Sequence, residues 1–412
     1  MATSKIGIIP VLLGVLALAC TGCASKGAPA PGTGGSSPAA PGADAASNRR
    51  AMLERANGLA LRIPSPSFEK DRAKMQLAVV ECCLAHGMLD QAFELSAPME
   101  LTWRRGEALA LTAQAYARAG NAARARELAE RAASGASDYP DWAAARVRAG
   151  AAKAFVLLGD RDRADALVGP ADPALLGEVH AVLVEKATGE ELDAKADMFD
   201  KAIATGNFDL AKGGIDGYLA LLGRVASDDA RRARALKVLD EAIPGLPLDL
   251  QVEYRTRLAE RLAAVGRPEE SAAEIARAAK LFDSTVFLAE DIQPIGAKLA
   301  RAQARLGDRA AARSRIESLE RTYRDRVAEI VDLRRANCLR ALAEAWVDLG
   351  DRAAAMRLWS DALDAGALNP NARPRAEDLC ATCISMAGCG ALPTPGMNER
   401  IAAIESGLVA PW

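Results

Sequence analysis

Apolar and polar residues recur along this chain with the period of a helix, and short glycine-centred breaks interrupt the pattern at intervals. The clearest case is the stretch LAEAWVDLGDRAAAMRLW, residues 342–359. Leu342, Trp346 and Leu349 share one helical face, Gly350 breaks the run, and Ala354, Ala355, Leu358 and Trp359 open a second one. The spacing predicts two antiparallel helices joined by a tight turn. No stretch alternates at period two between turn signals, so sheet is not expected.

The same device repeats. Gly87, Gly120, Gly159, Gly206, Gly266, Gly307 and Gly350 each close a helix-like run. Five residues after them stand Ala92, Ala125, Ala164, Ala211, Ser271, Ala312 and Ala355, and four residues before stand Cys83, Tyr116, Phe155, Ala202, Leu262, Gln303 and Trp346. Seven before, the residue is alanine in five cases (Ala113, Ala152, Ala259, Ala300, Ala343), with Val80 and Phe199 in the others. Glycine permits the backbone reversal, small residues let helix axes approach, and a larger residue fills the gap between hairpins. Ala202 and Gln303 depart from the last rule. One hairpin cannot bury its own apolar face, so neighbours must stack.

This small-x-x-aromatic-x-x-x-Gly-x-x-x-x-Ala order resembles the tetratricopeptide repeat family. It is clearest in AQAYARAGNAARARELAERA (residues 113–132) and AEAWVDLGDRAAAMRLWSDA (residues 343–362), and it runs from about residue 70 to 365, with room for one further hairpin to about 408. The turn glycines stand 33, 39, 47, 60, 41 and 43 residues apart, against a family period near 34. The resemblance implies an all-α, right-handed solenoid of stacked helix hairpins with a concave surface. Between residues 170 and 250 the register degrades and a bend is expected; Val225–Ala230 reads as an extra turn, with the next helix capped by Ser227 or Asp228.

Residues 1–19 read as a lipoprotein signal peptide: Lys5, an apolar run from Ile6 to Ala19, then Cys20. A small residue before the cysteine matches the lipoprotein pattern, and the thiol would carry the lipid. Cys23 is the alternative site, ordinary cleavage after Ala19 and an uncleaved anchor the alternative fates. Residues 20–48 are rich in Gly, Pro, Ala and Ser and lack apolar bulk, as a disordered tether does. A coil of that length spans on the order of 25–30 Å. Residues 49–412 are expected to form one elongated repeat domain, opening with a helix over Arg50–Leu61.

Catalytic chemistry is scarce. His86 and His180 are the only histidines and stand far apart; there is no phosphate loop, no His-Glu-x-x-His and no nucleophile elbow. Enzymatic activity and a cofactor are not expected. The net charge of −2 gives no basis for nucleic-acid binding, and basic runs such as Arg231-Arg232 lie among acidic neighbours on helix faces. The spacing of Cys380, Cys383 and Cys389 permits a disulfide in an exported chain, among themselves or to Cys338; small core residues, or a metal or redox site, are the alternatives.

The expected function follows from geometry. The residue six before each turn glycine should point into the concave groove: Glu81, Gln114, Lys153, Asp200, Glu260, Arg301 and Glu344. Their mixed charges favour a patterned peptide or protein partner. The lysine and asparagine clamp that the family uses on peptide carboxylates is not found. The expectation is therefore an exported, membrane-anchored lipoprotein of the periplasm or cell surface, acting as an interaction scaffold. The alternatives are an exported redox or metal protein using the C-terminal cysteines, or a structural protein self-associating through exposed solenoid ends.

Overall fold

The computed structural model describes residues 42–168, 179, 181–185 and 187–412. The described residues form helices without strands. In chain order they are α1 (Gly42–Arg62), α2 (Glu69–Ala85), α3 (Leu89–Ser96), α4 (Thr102–Arg118), α5 (Ala122–Gly135), α6 (Asp141–Leu157), α7 (Arg161–Val168), α8 (Gly189–Ala204) and α9 (Phe208–Leu222). There follow α10 (Asp229–Ala242), α11 (Leu248–Ala264), α12 (Pro268–Ser284), α13 (Ala289–Arg305), α14 (Arg309–Arg326), α15 (Asp332–Asp348), α16 (Arg352–Ala367), α17 (Ala372–Gly388) and α18 (Pro395–Ser406). The first helix begins at Gly42, inside the segment expected to be tether, because Ala45, Ala46 and Ser47 tolerate helical geometry and α1 has a partner to pack on.

All seven predicted turn glycines have positive φ, between 70° and 99°, and Gly390 adds an eighth at 63°. At six of the seven, the residue after the glycine donates its N–H to the carbonyl of the residue four before it, as in Asn121 to Tyr116 and Asp351 to Trp346, both 2.9 Å. This is the Schellman closure, which satisfies orphan carbonyls at a helix end. That same residue often caps the next helix: Asn121, Asp308 and Asp351 each accept from a backbone N–H three residues on. A Gly-Asp or Gly-Asn pair thus ends one helix and starts another. The exception is Gly206, where no such closure forms and Asn207 instead donates its N–H to the Thr205 hydroxyl. Of the two expected caps, Asp228 rather than Ser227 starts α10, accepting from the Arg231 N–H at 3.0 Å.

Small residues set the hairpin spacing. Ala113, Ala152, Ala259, Ala300 and Ala343 are wholly buried, and Phe155, Leu262 and Trp346 fill the spaces beside them. In the α11–α12 hairpin the Ser271 hydroxyl donates to the Ala259 carbonyl at 2.7 Å. On α13 the interior Pro294 leaves the Glu290 carbonyl without its helical donor. The Cys338 thiol of α15 lies 3.4 Å from that oxygen and takes the donor's place.

The hairpins do not form the open, elongated array expected from the repeats. Alternate helices α2, α4 and α6 pack side by side, as do α9, α11, α13, α15 and α17, and α17 packs against α2. Val179 and Val182 join the core of α4–α7, while Val184 and Ala187 join that of α8–α11, so the series continues between them. The array is a closed ring. α1 lies in the second layer against α17, occupying the place of that helix's hairpin partner, and one continuous core holds residues from Met52 to Ala108 and from Ala297 to Leu408. Closure buries Leu53, Ala56, Leu59 and Ile63 completely, where an open solenoid would leave such faces wet at its two ends.

The layers differ in how neighbours touch. Inner helices meet through packed side chains as well as ion pairs, whereas successive outer helices meet chiefly through long arginines. Examples are Glu130–Arg163 (2.6 Å), Asp193–Arg231 (2.7 Å), Asp283–Arg315 (2.7 Å) and Glu320–Arg357 (3.0 Å). An outer circle has the larger circumference, and only long side chains bridge its wider gaps. Each exposed pair is worth about 0–1 kcal/mol, so this belt spaces the helices more than it stabilises them.

Candidate functional surface

The inner layer carries six of the seven groove residues. Glu81 on α2 is half-buried; burial, then the nearby Glu107 carboxylate, push its carboxyl up to about 7 against the opposing effect of Arg104. Gln114 on α4 is buried and donates its side-chain amide to the Gly150 carbonyl of α6 at 2.9 Å. Lys153 lies half-buried on α6. Glu260 on α11 faces Arg305 of α13 at 3.2 Å.

Arg301 and Glu344 form the densest part. Arg301 on α13 pairs with Glu344 and Asp348 of α15, the latter at 2.9 Å. Glu344 also accepts from the Ser385 hydroxyl of α17 at 2.8 Å, and Ser385 in turn accepts from the Trp359 indole at 3.0 Å. Four helices are linked through one chain of polar groups. Similar rungs join Asp216 to Arg257 (2.8 Å), Glu253 to Lys298 (2.8 Å) and Arg340 to Asp378 (2.9 Å). Part of the inner charge is therefore satisfied between neighbouring repeats. The sequence carried a signal for this: Glu260, Arg301 and Glu344 occupy one register in consecutive repeats with alternating sign, and equal registers stand side by side.

Asp200 is a correction. It lies on α8, an outer helix, where it accepts from the Tyr218 hydroxyl and pairs with Arg234 of α10 at 2.6 Å. α9 and α11 pack side by side in the inner layer, so Gly206 joins an outer helix to an inner one, the reverse of the other turns. The register places Gly206 correctly as a turn and wrongly as an inner-to-outer turn, which also fits its missing Schellman bond.

The cysteines serve packing. Cys380 and Cys383 are wholly buried on α17, facing α1, and the Cys380 thiol donates to the Ala56 carbonyl at 3.2 Å. Cys380, Cys383 and Cys389 are free thiols, without the disulfide that their spacing permits. Burial pushes the Cys383 and Cys389 thiols up to about 12 and Cys82 to about 11. A reactive redox thiol needs the opposite shift. Among the described residues no group of three or more His, Cys, Asp or Glu is placed to hold a metal ion. His86 is exposed at the end of α2, where its backbone N–H donates to Cys83 at 3.1 Å. His180, Cys20 and Cys23 lie outside the described residues.

The fold defines an all-helical tandem-repeat protein whose hairpins close into a ring. No protein-family model and no curated protein matches the sequence. Among solved structures it is similar to a circular tandem repeat protein with novel repeat topology and enhanced subunit contact surfaces. That likeness covers 88% of this chain and 96% of that one, at 12% identity and a TM-score of 0.18. A likeness of that size adds nothing to the architecture described above.

Proposed function

We propose that this protein is a tetratricopeptide-like scaffold, tethered to a membrane of the cell envelope through a lipid on Cys20, that binds a peptide or protein on the inner face of its ring. The observation that carries the reading is the series of half-buried polar side chains on consecutive inner helices. Glu260, Arg301 and Glu344 carry alternating charges in one register of consecutive inner helices, which a partner of matching pattern can meet. The tether rests on the sequence of residues 1–41; no described helix is long and apolar enough to cross a membrane. No catalytic group is assigned.

The test is a pull-down of the protein from its own membranes beside Cys20→Ala and Arg301→Ala/Glu344→Ala versions, with mass spectrometry of the N-terminal peptide. The expected result is lipid on Cys20 and a defined partner, displaced by the first substitution and lost with the second. An unlipidated protein with no partner sinks the proposal.

A further inference from the structure

The ring has two rims. At one, inner helices begin; at the other they end, and all the glycine turns but Gly206 lie there. Of the ten exposed large apolar side chains among the described residues, nine lie at the first rim: Trp142, Phe208, Leu248, Val286, Leu288, Val331, Leu333, Leu368 and Val409. Val409 joins this rim because the C-terminal tail returns there, with the Ala372 N–H donating to the Pro411 carbonyl at 2.9 Å. Leu392 alone lies at the other. Singly exposed apolar residues need no explanation, but segregation to one rim does.

The most exposed of these side chains, Val286, stands where α13 begins. Val286 is 97% exposed and Leu288 68%. Beside them stand Leu248, Asp249, Glu290 and Asp291. None of these three carboxylates forms an ion pair among the described residues, and Arg334 of α15 acts on Asp291 only from beyond ion-pair distance. They also crowd one another: burial first, then Glu290 and Asp249, raise the Asp291 carboxyl, with Arg334 of α15 opposing. An acid in the first turn of a helix is favoured by the helix dipole. The dipole accounts for acids in these first turns; it does not account for the exposed Val286 and Leu288 beside them.

We infer that this rim patch is a docking surface for a polypeptide segment that presents apolar residues flanked by lysine or arginine. Apolar contact and charge complementarity then act together, the carboxylates gaining ion-pair partners at contact distance beyond the one longer-range cation, Arg334, that the fold provides. A lipid surface fits less well, because the acidic side chains would face anionic headgroups. α1 also starts at the opposite rim, so the chain enters the fold on the far side. The inference is independent of whether the inner face binds a partner.

The probe is a fluorescent amphipathic helix of leucine and lysine, with a leucine–glutamate helix of equal length as its counterpart, titrated into the full chain at low and moderate salt. The expected result is binding of the basic helix only. It should weaken about tenfold in Asp249→Asn/Glu290→Gln/Asp291→Asn and again in Val286→Ser/Leu288→Ser. Neutralising three carboxylates on the other rim (Glu190→Gln/Glu269→Gln/Glu399→Gln), or changing Glu344→Gln on the inner face, should leave it unchanged. Equal loss in the other-rim variant would reduce the effect to net charge and overturn the inference. So would equal binding of the acidic helix, or no binding of either. A last arm uses vesicles of phosphatidylethanolamine and phosphatidylglycerol; binding to these that is lost in Val286→Ser/Leu288→Ser, without peptide binding, would assign the patch to lipid instead.

Discussion

Glu81 gives the most direct test of the inner layer. Its carboxyl rises from the usual 4.5 to about 7 in the folded protein, through burial and the Glu107 carboxylate, with Arg104 opposing. Glu107 itself pairs with Arg104 at 2.6 Å and faces Arg146 at 3.7 Å. A group with a raised folded-state value binds more protons folded than unfolded between those two values. Stability from this site is therefore greatest below pH 4.5 and falls as pH rises towards 7. At about 1.4 kcal/mol for each tenfold change in proton affinity the loss is at most about 3 kcal/mol; solvent access to this half-buried group reduces it to about 1–2 kcal/mol. Glu81→Gln keeps the shape and removes the charge. In urea unfolding the variant should match the natural protein near pH 4.5 and exceed it by about 1–2 kcal/mol at pH 8. A difference that does not change with pH, or a variant less stable at pH 8, would refute the reasoning.

Other perturbations probe the turns, the closure and the thiols. Gly350→Ala must hold alanine at a φ of 77° and should cost about 1–2 kcal/mol. Gly58→Ala, on an exposed helical position with nothing near its Cβ, should instead stabilise by about 0.5–1 kcal/mol in thermal unfolding. Leu59→Ala empties a fully buried site in the α1 clasp and should lower stability by about 2–4 kcal/mol. Leu53→Glu/Leu59→Glu should enlarge the radius of gyration in small-angle scattering, as a ring opened at α1 must. Iodoacetamide at pH 8 should leave Cys338, Cys380 and Cys383 unlabelled in the native protein and label them in urea; rapid native labelling would contradict their burial.

The local rules were legible in the chain. Helix type, the seven turn glycines and the alanine contacts follow from residues within one hairpin of each other, and each was readable as spacing. The α10 cap was legible to within two neighbours, Ser227 and Asp228, because either side chain can accept from a helix's first N–H groups. The Gly206 phase was not, because an outer-to-inner turn and an inner-to-outer turn make the same local demand for glycine. Nor was the pairing of Arg301 with Glu344 and Asp348 foreseen, although the alternating sign of one register in consecutive repeats contained it.

The sequence by itself determined an all-helical array of hairpins, because backbone reversal, capping and small-residue packing are settled by nearby residues. Only the tertiary structure decided that the array closes. Whether α17 meets α1 and α2 depends on the small rotation between each pair of neighbouring hairpins, summed around the ring. That rotation is set by many side-chain volumes at once, and no single motif records it. The same summation brings Leu53 and Leu59 against α17, gives Cys380 the Ala56 carbonyl rather than a disulfide partner, and gathers the exposed apolar residues onto one rim.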